Sequence, residues 1–80
     1  MAKSLHTPEY EYFRSLLVGA RENAKLTQAD ISDKLGRPQS FVAKYEGGER
    51  RLDIIELLQV CSALGVDPHE IISQIQTRTR

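Results

Sequence analysis

Residues 26–47 read LTQADISDKLGRPQSFVAKYEG, and this stretch holds two helix starts and two helix stops. Thr27 and Asp30 stand three apart. At that spacing a threonine hydroxyl accepts from the acidic residue's N–H while the carboxylate returns to the cap's own N–H. Leu26 and Ile31 flank the box as a hydrophobic staple, and Ile31 with Leu35 gives the short helix its buried face. Gly36 ends it, since a residue without Cβ enters the left-handed region at no steric cost. Pro38 then opens a second short helix, at a position whose N–H would be unpaired in any case. Val42 and Tyr45 are that helix's apolar pair, and Gly47-Gly48 terminates it. Two short helices joined by a glycine-containing turn, in helical surroundings, form a helix-turn-helix.

The same grammar runs outward. Upstream, Thr7 caps and Pro8 opens a helix of about four turns, with Phe13, Leu16, Leu17, Ala20 and Ala24 on one stripe. Downstream, Asp53 and Glu56 form a second capping box, stapled by Leu52 and Leu57. Ile54, Leu57, Leu58, Cys61 and Leu64 are expected to face inward, and Gly65 stops the helix. Asp67, Pro68 and Glu70 start a fifth helix, with Val66 against Ile71 and with Ile71, Ile72 and Ile75 apolar. No segment alternates with period two. The expectation is an all-α domain of five helices over residues 8–75, a flexible N-terminus at 1–7 and a frayed tail at 76–80.

Composition narrows the function. Eighty residues with 40% hydrophobic and 28% charged side chains suit one small folded domain, and the single Cys excludes an internal disulfide. No apolar run approaches the roughly 20 residues of a membrane-spanning helix, and Met1 to His6 precede no signal-like apolar stretch. A cytoplasmic protein with a reduced Cys61 is expected, with no membrane partner. Catalytic groups are sparse: His6 and His69 lie near opposite ends, and Cys61 sits on an apolar helix face. One Cys and two separated His match no zinc spacing, so no metal, cofactor, small-molecule ligand or enzymatic activity is expected. The net charge is zero, which argues against histone-like coating of nucleic acid. Residues 34–51 nevertheless set Lys34, Arg37, Lys44, Arg50 and Arg51 against only Glu46 and Glu49.

The phrases Leu26-Thr27-Gln28-Ala29-Asp30-Ile31, Leu35-Gly36 and Gln39 to Glu46, with Gly48-Glu49-Arg50-Arg51-Leu52-Asp53 and Ala63-Leu64-Gly65-Val66, carry a further signal. Together they resemble the Cro/repressor-type helix-turn-helix family, often called the xenobiotic-response-element (XRE) family, of bacterial and phage regulators. The resemblance spans roughly residues 10–75 and implies a lambda-repressor-like fold. Ser32 departs from the family's usual alanine, and Pro38 stands where a capping Ser or Thr is common.

In such proteins the second motif helix, here Pro38 to Glu46, enters the major groove while the first crosses the backbone. Arg37, Ser40, Phe41 and Lys44 share one stripe opposite Val42. By resemblance Gln39 takes a base-reading position in the first turn, and Gln pairs bidentately with adenine. Lys44 suits guanine or a phosphate, and Ser40 a base or a phosphate. Phe41 suits either a thymine methyl or packing against a neighbouring element. Gln28, at a helix N-terminus, matches the family's phosphate-contacting glutamine, while Arg50 and Arg51 are candidates for the backbone. Arg14 and Lys25 are weaker candidates. Arg21 and Glu46 resemble the pair that ties the first helix to the third and would be structural.

The implied function is a sequence-specific regulator of bacterial or phage origin, nucleoid-associated, binding a palindromic operator in double-stranded DNA as a homodimer and acting as a repressor. Two half-sites about 34 Å apart would multiply a weak single contact. Ile71, Ile72 and Ile75 are the expected dimer face, or else simply close the core. The alternative is an antitoxin-like or adaptor module that uses the fold to grip a protein partner, for which an extended exposed apolar patch is the expected mark.

Overall fold

The computed structural model describes residues 7–79, with side chains through Arg78. Most of the expected flexible N-terminus, His6 included, and Arg80 lie outside the described residues. Five helices follow in order: α1 Pro8–Asn23, α2 Gln28–Leu35, α3 Gln39–Gly47, α4 Ile54–Leu64 and α5 Pro68–Thr79. There is no strand among the described residues.

Local hydrogen bonding sets the helix ends. The Thr7 hydroxyl accepts from the Tyr10 N–H at 3.2 Å. Both capping boxes close: Asp30 N–H to Thr27 Oγ1 at 3.0 Å with Thr27 N–H to Asp30 Oδ2 at 2.8 Å, and Glu56 N–H to Asp53 Oδ1 at 2.7 Å with Asp53 N–H to Glu56 Oε1 at 3.0 Å. The Thr27 bonds hold the Asp30 carboxyl below the usual range, and Arg50 together with the Asp53 N–H does the same to Glu56. At α5 the Asp67 carboxylate instead takes the His69 N–H at 2.9 Å, and Glu70 N–H goes to the Asp67 carbonyl. Pro38 is the residue just before α3, extended and without a capping side chain. Gly36 takes the left-handed conformation after α2, as that tight turn requires. Lys25 also adopts it, at φ 62°, which lets Leu26 N–H reach the Arg21 carbonyl as α1 ends.

α1 packs on α3 and α5, α2 on α3 and α4, and α4 on α5. The core they enclose contains Phe13 and Leu17, Ile31, Phe41, Val42 and Tyr45, Leu57, Val60, Cys61 and Leu64, and Ile71. Full burial of each large side chain is worth about 1.5–3 kcal/mol.

One expectation of facing is corrected. On α4 the inward residues are Leu57, Val60, Cys61 and Leu64, whereas Ile54 is 58%, Ile55 60% and Leu58 45% exposed. At about 100° per residue the four buried positions fill one narrow arc, and Ile54, Leu58 and Ile55 fall progressively outside it on the same side. Of the three α5 isoleucines only Ile72 is exposed; Ile71 is in the core and Ile75 packs against it. The three do not form one outward face. α5 runs on through Gln76 to Thr79, with the Arg78 guanidinium 4.7 Å from the centre of the Tyr12 ring.

Candidate nucleic-acid interface

α3 is amphipathic across its short axis. Val42, Tyr45 and Glu46 turn inward, while Gln39, Ser40, Ala43 and Lys44 are exposed. The face away from the core therefore presents an amide and a hydroxyl in the first turn and an ammonium in the last, with Arg37 in the preceding turn. Phe41 leaves the expected stripe: it is only 7% exposed and meets the Tyr45 ring edge-on at 5.6 Å between centres. It lies at the border of the buried arc, and the nearby apolar surface draws it in.

Two carboxylates organise the surroundings. Glu46, 8% exposed, receives Arg21 Nε on Oε2 at 2.7 Å and Arg21 Nη2 on Oε1 at 3.2 Å. Gln28 Nε2 donates to the same Oε1 at 2.9 Å. Arg21 also donates to the Leu26 carbonyl at 2.8 Å, and its guanidinium is held above the ordinary arginine value chiefly by the bond to Glu46. Arg14 donates to the Glu46 carbonyl and pairs with Glu11. The start of α2, the end of α1 and the end of α3 are thus joined at one side chain. Gln28 is tied to Glu46 yet keeps a second amide hydrogen at the start of α2. Arg14 works from inside, with its guanidinium against Gly48.

Glu56 is the second centre. Arg50 reaches it with both terminal nitrogens at 2.8 Å, and Arg37 Nη2 lies 3.6 Å from Oε2. The Arg37 and Arg50 guanidiniums stand 3.9 and 4.8 Å from the centre of the Phe41 ring. Arg51 stacks 4.6 Å from the centre of Tyr10, whose hydroxyl accepts the Leu52 N–H at 3.1 Å. Arg37 and Arg50 thus occupy defined places beside α3, while Arg51 lies against α1.

The family model described as helix-turn-helix matches residues 19–71, which takes in α2, α3, α4 and the turn between the motif helices. Among solved structures, an XRE-family like protein from Pseudomonas syringae pv. tomato str. DC3000 is 42% identical, with a TM-score of 0.90 over 98% of this chain and 95% of that one. This chain belongs to the XRE family of helix-turn-helix proteins. A search of curated proteins gives no match.

As an XRE-type protein it has the lambda-repressor-like all-α fold and is a DNA-binding helix-turn-helix regulator. Within this XRE domain the structure sets Gln39, Ser40 and Lys44 on the outward face, with Arg37 and Arg50 beside it and Arg51 against Tyr10 of α1. Arg21 and Glu46 meet beneath it. Sequence reasoning missed Glu56 as more than a cap and Arg14 as an anchor for the end of α3. Arg37, which meets Glu56, and the Glu46 carbonyl, which takes Arg14, are remote in the chain, and the Arg50–Glu56 spacing fits no helical pairing rule. Cys61 is buried, and burial pushes its thiol upward. No helix among the described residues is long and apolar enough to cross a membrane.

Proposed function

We propose that this protein reads a specific operator in double-stranded DNA as a dimer and acts as a transcriptional repressor, with α3 in the major groove. The observation that carries the reading is the outward face of α3. The side chains of Gln39, Ser40 and Lys44 are exposed there and make no hydrogen bond or ion pair among the described residues. An amide or ammonium in such a position is available to base edges. The arginines around it and the second amide hydrogen of Gln28 suit phosphate contacts, which set register without reading sequence. Repression follows if the occupied site overlaps a promoter, and a palindromic operator follows from two-fold symmetry.

The test is selection from randomised duplexes at about 0.15 M salt, where non-specific phosphate binding is reduced, with Gln39→Ala beside wild type. Wild type should enrich a palindrome. Gln39→Ala should lose about 1–3 kcal/mol on it and relax preference at one base pair. Equal weakening on every sequence would remove Gln39 from the reading set.

A second reading has a specific observation behind it. Ile54, Ile55 and Leu58 are the exposed apolar surface expected of a module that grips a protein partner. With Ile72 the only exposed member of the α5 trio, the same α4 surface is also the better candidate for self-association. Sedimentation of wild type and Ile55→Lys separates these: a dimer lost in the variant assigns the patch to self-association, and a wild-type monomer that enriches no duplex favours the partner-binding module.

A further inference from the structure

We propose that Glu56 is a positioning residue for DNA binding, holding Arg37 and Arg50 as a preformed clamp beside the reading helix. The inference rests on the DNA-reading function above and assigns a role to a carboxylate that caps a helix on the far side of the clamp. The residues come from three places: Arg37 from the turn between α2 and α3, Arg50 from the loop after α3, and Glu56 from the first turn of α4.

Glu56 is itself immobilised. Its Oε1 takes the Asp53 N–H while its own N–H bonds the Asp53 carboxylate, so the capping box fixes the side chain before any arginine arrives. Arg50 then docks in a two-point fork, a geometry that guanidinium supplies and ammonium does not. Arg50 Nη1 also donates to the Arg51 carbonyl at 2.8 Å, which fixes the loop. Arg37 completes the set at 3.6 Å. Phe41 lies against both guanidiniums, and because Phe41 belongs to α3 it registers them to the reading helix.

Charge and exposure make this more than an internal brace. Two guanidiniums meet the Glu56 carboxylate, and the Asp53 carboxylate of the same capping box acts on Arg50 from close by. The arginine side chains remain 36% and 37% exposed while Glu56 is 12% exposed. The anion is underneath and the cations are at the surface. A phosphate arriving there meets guanidiniums already ordered, and ordering two such side chains is a cost that otherwise falls on binding.

Removing the carboxylate therefore has two opposed effects. It adds positive charge, which strengthens attraction to any DNA, and it frees the arginines, which weakens the fit to the preferred duplex. The ratio of the two affinities isolates the second effect. Glu56→Gln keeps the side-chain length and a capping acceptor but loses the charge. Arg50→Lys keeps the charge but loses the fork.

The experiment measures binding of wild type and both variants to the selected duplex and to an unrelated one across a salt series, with a thermal melt of each protein. In Glu56→Gln the preference for the selected duplex should fall about tenfold while binding to the unrelated duplex strengthens. In Arg50→Lys the preference should fall with an unchanged salt slope. A preference within twofold of wild type in the folded variants overturns the proposal. So does a parallel rise on both duplexes in Glu56→Gln, which would make the carboxylate a simple screen. If Glu56→Gln does not fold, Arg50→Lys decides. A wild-type protein without any preferred duplex would instead bring down the DNA-reading function, and this inference with it.

Discussion

Glu46 and Glu56 perform the same chemical act, one carboxylate gathering several donors from distant segments, in two different dielectric settings. Glu46 is sealed at the junction of α1, α2 and α3, and its partner Arg21 is almost as enclosed. Glu56 sits at the surface edge, and its arginines are more than a third exposed. Burial raises the cost of leaving either partner alone, so the first cluster is structural and both its members are needed. At the second, water and salt screen the attraction, so little stability is at stake and the same geometry is free to serve recognition. The identity of the ion pair does not decide its role; the surroundings do.

That contrast can be broken in four ways. The largest effect is expected from Glu46→Ala, which strands the Arg21 guanidinium and releases Gln28. It should cost about 3–5 kcal/mol in urea unfolding, and a loss below about 1 kcal/mol would place Glu46 with the surface pairs. Asp53→Ala comes next at about 1 kcal/mol, the usual worth of an N-cap, with Glu56 loosened as a consequence. Thermal melts that show no change would mean the box contributes little to α4.

Smaller still is the coupling of Arg50 with Glu56 in a double-mutant cycle, about 0.2–1 kcal/mol and weaker at high salt, whereas the Arg21–Glu46 cycle should be larger and salt-insensitive. The smallest signal is the pH dependence. The Arg50 guanidinium and the Asp53 N–H hold the Glu56 carboxyl down at about 2, below the ordinary glutamate value of 4.5. A depressed carboxyl contributes stability that is complete above the unfolded value and lost as pH falls through the folded one. The stability difference between wild type and Glu56→Gln should thus hold at neutral pH and disappear between about pH 4.5 and 2. A difference that persists at pH 2 would show that charge is not what Glu56 contributes.

Much of the fold was legible because helix ends are local affairs. Thr27 with Asp30, Asp53 with Glu56, and Gly36 act within four residues of themselves, so the chain displays them directly. The facing of α4 was less legible. Ile54, Ile55, Leu57, Leu58, Val60 and Cys61 are so densely apolar that periodicity does not choose a side, and the neighbours α2 and α5 made the choice. Phe41 was ambiguous for a related reason: it borders the buried arc, and only the presence of Tyr45 and two guanidiniums drew it down. For the candidate site, the outward positions of Gln39, Ser40 and Lys44 follow from helix geometry once Val42 and Tyr45 are buried. The surroundings of Arg37 and Arg50 do not.

The sequence by itself determined five helices, most of their ends and the helix-turn-helix at their centre, because capping and helical periodicity are satisfied by hydrogen bonds and side chains a few positions apart. Only the tertiary structure decided which apolar residues were left outside, and that Arg37, Arg50 and Glu56 would converge over Phe41. Those outcomes depend on the packing of α2, α3 and α4, which brings together charges from separate segments and sets, through burial, what each pairing is worth.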